Sequence, residues 1–274
     1  MVHGLSISDQ EFGLLRDMLY RAAGINLAAS KKALVCGRLA RRLKEYNLSS
    51  YLEYYRLITS GKAEGEMQVA LDLLTTNETF FFRESRHFDF LREHARSLCR
   101  PGQTFRVWSA ASSTGEEVYS IAMVLAEVFG DRPWGVLGSD ISMRVLEKAR
   151  RGHYSLARTE ELPQRFLGAY CLKGIGSQEG TFLIGQYLRS KVDFRQINLS
   201  EPLPAIGQFD VIFIRNVMIY FNAETKRQVM ARVLEKLKPG GYLFVSHSET
   251  LNDITTGVKS CGPSIYCKPS GQKI

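Results

Sequence analysis

Cysteine and histidine are sparse and scattered. The chain has five of each in 274 residues, and no Cys-x-x-Cys pair occurs. The cysteines (Cys36, Cys99, Cys171, Cys261 and Cys267) are odd in number and widely spread. This argues against a disulfide framework, for reduced thiols in the cytoplasm, and predicts no metal site. No apolar run approaches the ~20 residues that cross a bilayer, so no direct membrane insertion is expected. The start, "MVHGLSISDQEF", has no basic region followed by an apolar one, so no secretory signal is expected either. Three catalytic signatures are missing as well. There is no Gly-x-Gly-x-x-Gly for a dinucleotide, no Asn-Pro-Pro-Tyr for a flipped base, and no convincing Cys–His or Ser–His pair. The run "SHSE" (Ser246 to Glu249) is a decoy, because neighbours on a strand point to opposite faces.

What remains is ordinary for a folded chain, with 45% hydrophobic and 23% charged residues. The net charge of +8 suits an acidic partner, which charge alone does not identify as nucleic acid, anionic lipid or protein.

The first hundred residues read as helices. "SDQE" (Ser8 to Glu11) is a capping box, and the helix it opens stops at Gly24. A second helix from about Ser30 carries an apolar stripe of Val35, Leu39, Leu43 and Tyr46. "SYLEYYRLI" opens with another capping box, Ser50 to Glu53, and "EMQVALDLLTTN" and "RHFDFLREHARSLC" follow, the latter closed by "RPGQ". The texture then changes. "TFRVWSAA", "WGVLGSD", "KVDFRQINL", "FDVIFIRN" and "GYLFVSHSE" read as strands alternating with helical patterns, which predicts a parallel sheet with helices on its faces. Tyr154 to Lys191 breaks the rhythm and reads as a small antiparallel β insertion.

In such a sheet, ligands sit beyond the carboxyl ends of the strands. The first strand ends in the small-residue loop "SAASSTGEE", where backbone N–H groups can meet a ligand. The second ends at Asp140, either a carboxylate for ribose hydroxyls or the N-cap of the following helix. The third and fourth end in "QINL" and "IRN", each placing an Asn where it can donate to and accept from an adenine edge. Of the adjacent Glu116 and Glu117, one is expected to contact ligand and the other to serve the helix N-terminus. Residues 27–48 carry six basic side chains against Glu45 alone, and Arg38, Arg41 and Arg42 share one flank.

"NETFFFRE", "RVWSAASSTGEEVYSIAM", "VLEKARRGHY", "NVMIYF" and "PGGYLFVSHSE" resemble, in order and over nearly the whole chain, the chemotaxis receptor glutamate O-methyltransferases of the CheR family. Two departures are visible: Ala-Ser-Ser replaces the more usual Gly-Cys-Ser or Ala-Ala-Ser, and Val118 stands where Pro is usual. The resemblance implies an α/β, Rossmann-like methyltransferase domain at 101–274, with its β subdomain at about 155–191. It also implies an all-α receptor-docking domain at 1–75 and a linker with a connecting helix at 76–100. The implied cofactor is S-adenosyl-L-methionine, leaving as S-adenosyl-L-homocysteine, with no metal. The implied substrate is a glutamate in the cytoplasmic signalling domain of a chemoreceptor.

By the same resemblance, Asn77, Thr79, Arg83, Glu117, Asp140, Asn198, Leu199, Arg215 and Asn216 line the cofactor. Arg83 and Tyr220 lie nearest the transferred methyl. Arg38, Arg41 and Arg42 dock the receptor, and the β insertion holds a receptor C-terminal peptide in some members. The phenylalanines Phe80 to Phe82 are expected to wedge the two domains together. A cytoplasmic monomer recruited to membrane receptor arrays is expected. Two rivals stand beside this reading. One is a nucleic-acid methyltransferase, which the pI of about 9.2 also suits; the other is a non-catalytic S-adenosylmethionine-binding regulator.

Overall fold

The computed structural model describes residues 6–99 and 102–270, so the start of the "RPGQ" turn lies outside the described residues. The chain opens with α1 (Asp9–Ala23), α2 (Lys32–Glu45), α3 (Tyr51–Thr59) and α4 (Glu66–Leu74). The first capping box forms in full. The Glu11 N–H donates to the Ser8 hydroxyl at 3.2 Å, and the Ser8 N–H donates to the Glu11 carboxylate at 2.8 Å. Gly24, at φ +69°, ends α1 in the left-handed region. At α3 only half the box forms: Ser50 accepts from the Glu53 N–H, while the Glu53 carboxylate turns to the Ser49 N–H.

Val35, Leu39 and Leu43 pack with Leu15, Leu19 and Tyr54 in the helical core. Tyr46, expected to extend that stripe, is 37% exposed instead, with its hydroxyl donating to the Glu66 carboxylate. Glu66 is the polar centre of this bundle. It is 2% exposed, accepts from the Tyr54 hydroxyl at 2.7 Å and pairs with Arg42, whose Nε lies 2.8 Å away. Burial pushes the Glu66 carboxyl up, and hydrogen bonds from Arg42 and the tyrosines more than reverse it, leaving it below the usual carboxylate range.

After the connecting helix α5 (Arg86–Leu98) come β1 (Phe105–Ser109), α6 (Glu116–Phe129), β2 (Trp134–Asp140) and α7 (Met143–Arg151). The insertion holds β3 (His153–Ser155), α8 (Gln164–Tyr170), β4 (Cys171–Lys173), β5 (Thr181–Ile184) and α9 (Gln186–Arg189). The chain closes with β6 (Val192–Gln196), β7 (Phe209–Phe213), α10 (Ala223–Lys236), β8 (Leu237–Phe244), β9 (Lys259–Gly262) and β10 (Ile265–Cys267). The main sheet runs β6-β2-β1-β7-β8-β10-β9, and the insertion makes a separate antiparallel sheet, β3-β5-β4. From β6 to β8 all pairings are parallel; β10 is antiparallel to both its neighbours. The sheet is therefore mixed rather than parallel throughout. Strands as short as β9 and β10, the outer one exposed, carry too little alternation to be read from sequence.

Two backbone details position the site. Gly115 enters α6 at φ +95°, and a Cβ there would lie 2.8 Å from Ala149 Cβ and 2.9 Å from the Tyr154 hydroxyl; only glycine fits. The Phe80–Phe82 run does not wedge the two halves. Phe81 meets Tyr154 and Phe182 of the insertion, with centroids 5.0 and 5.7 Å away, and Phe82 stacks on Phe166 at 5.3 Å. Both belong to the core around α6, not to that of the helical bundle. Phe80 remains 37% exposed. Other contacts join the halves: Ile25 bridges Phe221 antiparallel, the Asn26 N–H donates to the Tyr220 carbonyl at 2.8 Å, and the Gln68 amide and Arg144 guanidinium donate across the seam to the Ile141 and Asp72 carbonyls.

Candidate functional site

From β1 the chain winds outward through β2 to β6, then returns to β7 on the other side of β1. The order reverses between β1 and β7, the place where open α/β sheets hold ligands. A cavity of about 420 Å³ lies there. Asn77, Thr79, Arg83, Glu117, Asp140, Asn198, Leu199, Arg215, Asn216 and Tyr220 all line it. Arg38 lines it too, whereas Arg41 and Arg42 do not.

Asp140 ends β2, nearly buried. Its two carboxylate oxygens accept the Ser113 N–H at 2.9 Å and the Ser142 N–H at 3.0 Å, which fixes the plane of the group. The N-cap of α7 is Ser142, which accepts from the Val145 N–H, so the capping alternative for Asp140 falls away. Burial pushes the Asp140 carboxyl up, against the pull of these backbone donors.

Glu117 and Arg215 form the charged wall. Arg215 Nη1 donates to Glu117 at 3.0 Å, and its Nη2 lies 3.2 Å from Glu84 Oε2 and donates to the Arg83 carbonyl. The Arg215 side chain is 1% exposed, and its Nε has no hydrogen-bond partner. Burial raises the Glu117 carboxyl above the usual range, opposed by Arg215 and by the Ser109 hydroxyl. Burial also pushes Glu84 up, but the Arg215 charge and neighbouring donors leave it lowered. Glu116 points elsewhere: it accepts from the Thr114 hydroxyl and lies near Arg158.

Arg83 donates to the Glu78 carbonyl at 3.0 Å and lies over the Phe80 ring, 5.6 Å from its centroid. The Asn77 carbonyl accepts from the Ser113 hydroxyl at 2.8 Å, tying the "NETFFFRE" loop to the loop after β1. Asn216 sits at φ +57°, held by the Glu249 carboxylate on its N–H and by its own amide on Ser246 Oγ. "SHSE" is thus a brace for this loop rather than a triad. The Asn198 amide donates to the Ala22 carbonyl at 2.7 Å and its oxygen accepts from Ser200.

Sequence reasoning missed Glu84, the second carboxylate on Arg215, and the wall from Ala23 to Ala28 supplied by the helical half. The first reads as one more charge; the second is a short connection between α1 and α2 without a motif. On α2, Arg38 donates to the carbonyls of Leu74 and Thr75 at the end of α4, and Arg42 is committed to Glu66. Arg41, 87% exposed with only Glu45 beside it, is the one of the three facing solvent.

Comparison with known proteins agrees with this geometry. Residues 77–267 match the CheR methyltransferase SAM binding domain, and residues 10–75 match the CheR methyltransferase all-alpha domain. The chain is 42% identical over 269 residues to the chemotaxis protein methyltransferase of Escherichia coli, covering 97% of this chain and 93% of that one. It is 42% identical over 260 residues to chemotaxis protein methyltransferase 2 of Pseudomonas aeruginosa, covering 94% and 92%. It is 35% identical over 258 residues to the chemotaxis protein methyltransferase of Borreliella burgdorferi, covering 90% of each. With strand-end carboxylates around a cavity at the switch point and both family domains in order, the chain belongs to the CheR family of S-adenosylmethionine-dependent methyltransferases.

Proposed function

We propose that this enzyme transfers a methyl group from S-adenosylmethionine to the side-chain carboxylate of glutamates in the cytoplasmic signalling domain of chemoreceptors. The observation that carries the reading is the single cavity that gathers strand-end polar groups of the sheet, the "NETFFFRE" loop and the basic helix α2.

The lining fits the cofactor. Asp140 keeps a free lone pair on each fixed oxygen for ribose hydroxyls, Ile141, Ile197 and Leu199 offer apolar surface to a base, and the unpartnered Arg215 Nε marks a polar contact still to be made. The bound cofactor supplies an electrophilic methyl on a positively charged sulfur. A glutamate is already an anion at neutral pH, with a pKa of about 4.3, so the chain needs no general base. Its residues have to orient the carboxylate and exclude water. Arg83 presents a planar fork suited to a carboxylate, and Tyr220 a directed O–H. The transfer step calls for no metal.

Incubation with methyl-labelled S-adenosylmethionine and receptor-containing membranes should give base-labile label on receptor. Label on oligonucleotides instead, with a steep salt dependence of binding, would support the nucleic-acid rival; label on neither would support a non-catalytic regulator.

The same reading places a monomer in the cytoplasm, recruited to receptor arrays through the basic face of α2; among the described residues no helix is long and apolar enough to cross a membrane. Since Arg38 and Arg42 are engaged inside the helical half, reversing them would disturb the fold as well as docking. Arg41→Glu together with Lys44→Glu changes exposed groups only. This pair should raise KM for receptor about tenfold and leave KM for cofactor unchanged. Equal changes in both constants count against docking through α2.

A further inference from the structure

The sequence scatters its histidines and predicts no metal site, yet the fold gathers two of them around a carboxylate. His87 on α5 and His247 beyond β8 lie with ring centroids 4.9 Å apart. Glu84 Oε2 is 3.5 Å from His87 Nδ1, and the ligand atoms of Glu84, His87 and His247 all lie within 4.8 Å of one another. His87 is 0% exposed, and neither of its ring nitrogens has a hydrogen-bond partner, although the Pro263 carbonyl lies beside the ring. A buried imidazole with only a poorly aligned Pro263 carbonyl and a carboxylate oxygen at 3.5 Å for partners leaves a nitrogen that a bound ion would satisfy. Burial, reinforced by the Arg215 charge, pushes its pKa down to about 4, so the ring is neutral at pH 7 and keeps a nitrogen lone pair. His247 is exposed, which gives an ion a way in from solvent.

We propose that Glu84, His87 and His247 form a binding site for a divalent transition-metal ion of the zinc type. Two imidazoles and a carboxylate are a donor set that zinc accepts, with water in the fourth position. Bond lengths of about 2.0–2.2 Å put tetrahedral ligand atoms roughly 3.4 Å apart. The Glu84–His87 edge is already at that separation, and rotation of the exposed His247 ring supplies the remaining closure. Arg215 holds the same Glu84 oxygen at 3.2 Å and competes with the ion for it. An ion that captures Glu84 weakens the hold on Arg215 at the cavity wall. On the methyl-transfer reading above, that consequence is inhibition; the binding itself does not depend on that reading.

Calorimetric titration of zinc chloride into tag-free, full-length protein with reduced thiols tests the site. About one equivalent should bind, and His247→Ala, a surface change, should weaken binding at least tenfold. Cys261→Ser, Cys267→Ser protein should bind as the wild type does, since the thiols are not part of the site. Absence of heat, binding unchanged in His247→Ala, or binding lost with the two thiols overturns the proposal. Zinc should also slow methyl transfer at least fivefold in the wild type and not in His247→Ala. Binding without slowing overturns the competition with Arg215.

Discussion

Replacing Arg215 with methionine should lower kcat/KM for methyl transfer by about two to three orders of magnitude. The guanidinium is 1% exposed and serves two carboxylates, Glu117 at 3.0 Å and Glu84 at 3.2 Å. Methionine keeps apolar volume beside Phe88 but leaves two largely buried carboxylates without their cation. Removing one partner from a buried pair costs about 3–5 kcal/mol, and each 1.4 kcal/mol is tenfold. Part of that loss falls on catalysis, because Arg215 also holds the Arg83 carbonyl, and with it the loop that presents Arg83 to the cavity. Arg215→Lys should recover little, since a single ammonium does not reproduce a fork reaching two carboxylates and a carbonyl. Folded Arg215→Met protein, verified by circular dichroism, with kcat/KM within about threefold of wild type would remove Arg215 from the machinery.

The second large effect is on stability. Arg42→Met leaves Glu66, 2% exposed, with tyrosine hydroxyls but no cation. A loss of about 3–5 kcal/mol is expected, a large share of the ~5–15 kcal/mol that holds a typical domain. It should appear in urea unfolding as a lower midpoint at unchanged slope. Adding Glu66→Gln should restore much of the loss, since the penalty lies in the stranded charge rather than in the missing pair. The pH dependence carries its own sign. In the wild type the Glu66 carboxyl is lowered, so its contribution is present above the unfolded value of about 4.3 and is lost as pH falls through the folded one. In Arg42→Met the largest lowering partner is gone and burial pushes the carboxyl up, so the variant recovers relative to wild type on acidification. A deficit under about 1 kcal/mol at all pH values would show that the pair is dispensable.

Much of the fold could be read from the chain because its signals are local. The Ser8–Glu11 box, the stop at Gly24 and the alternation of Val-, Ile- and Phe-rich runs with helical patterns each need only a few neighbouring residues. The strand-end groups Asp140, Asn198 and Asn216 could be read because topology obliges loops at the carboxyl ends to converge. The pairing of Arg215 with Glu117 and Glu84 could not, since its members come from three separate elements and no local pattern links them. Its geometry also depends on Glu84 and Asn216 adopting positive φ values of 57°, which nothing in their identities demands. The inward bonds of the α2 arginines could not be read for a related reason: spacing reveals which arginines share a side, but not that Glu66, on another helix, waits beneath Arg42. The Phe80–Phe82 run misled because its partners, Tyr154, Phe166 and Phe182, belong to an insertion far along the chain.

The seam between the two halves has a consequence for diversification. Its Ile25–Phe221 bridge and the Asn26 N–H to Tyr220 carbonyl bond are made by backbone atoms, so side-chain identity is demanded not there but where Gln68 and Asp72 meet Ile141 and Arg144. Substitutions on the outer surface of α2 can accumulate without altering how the helical half closes over the cavity. A chimaera carrying another family member's helical bundle, spliced just after α4 between Thr75 and Asn77, can keep the same main-chain bonds. The helical half can therefore vary on its outer surface while the strand-end groups of the sheet stay as they are.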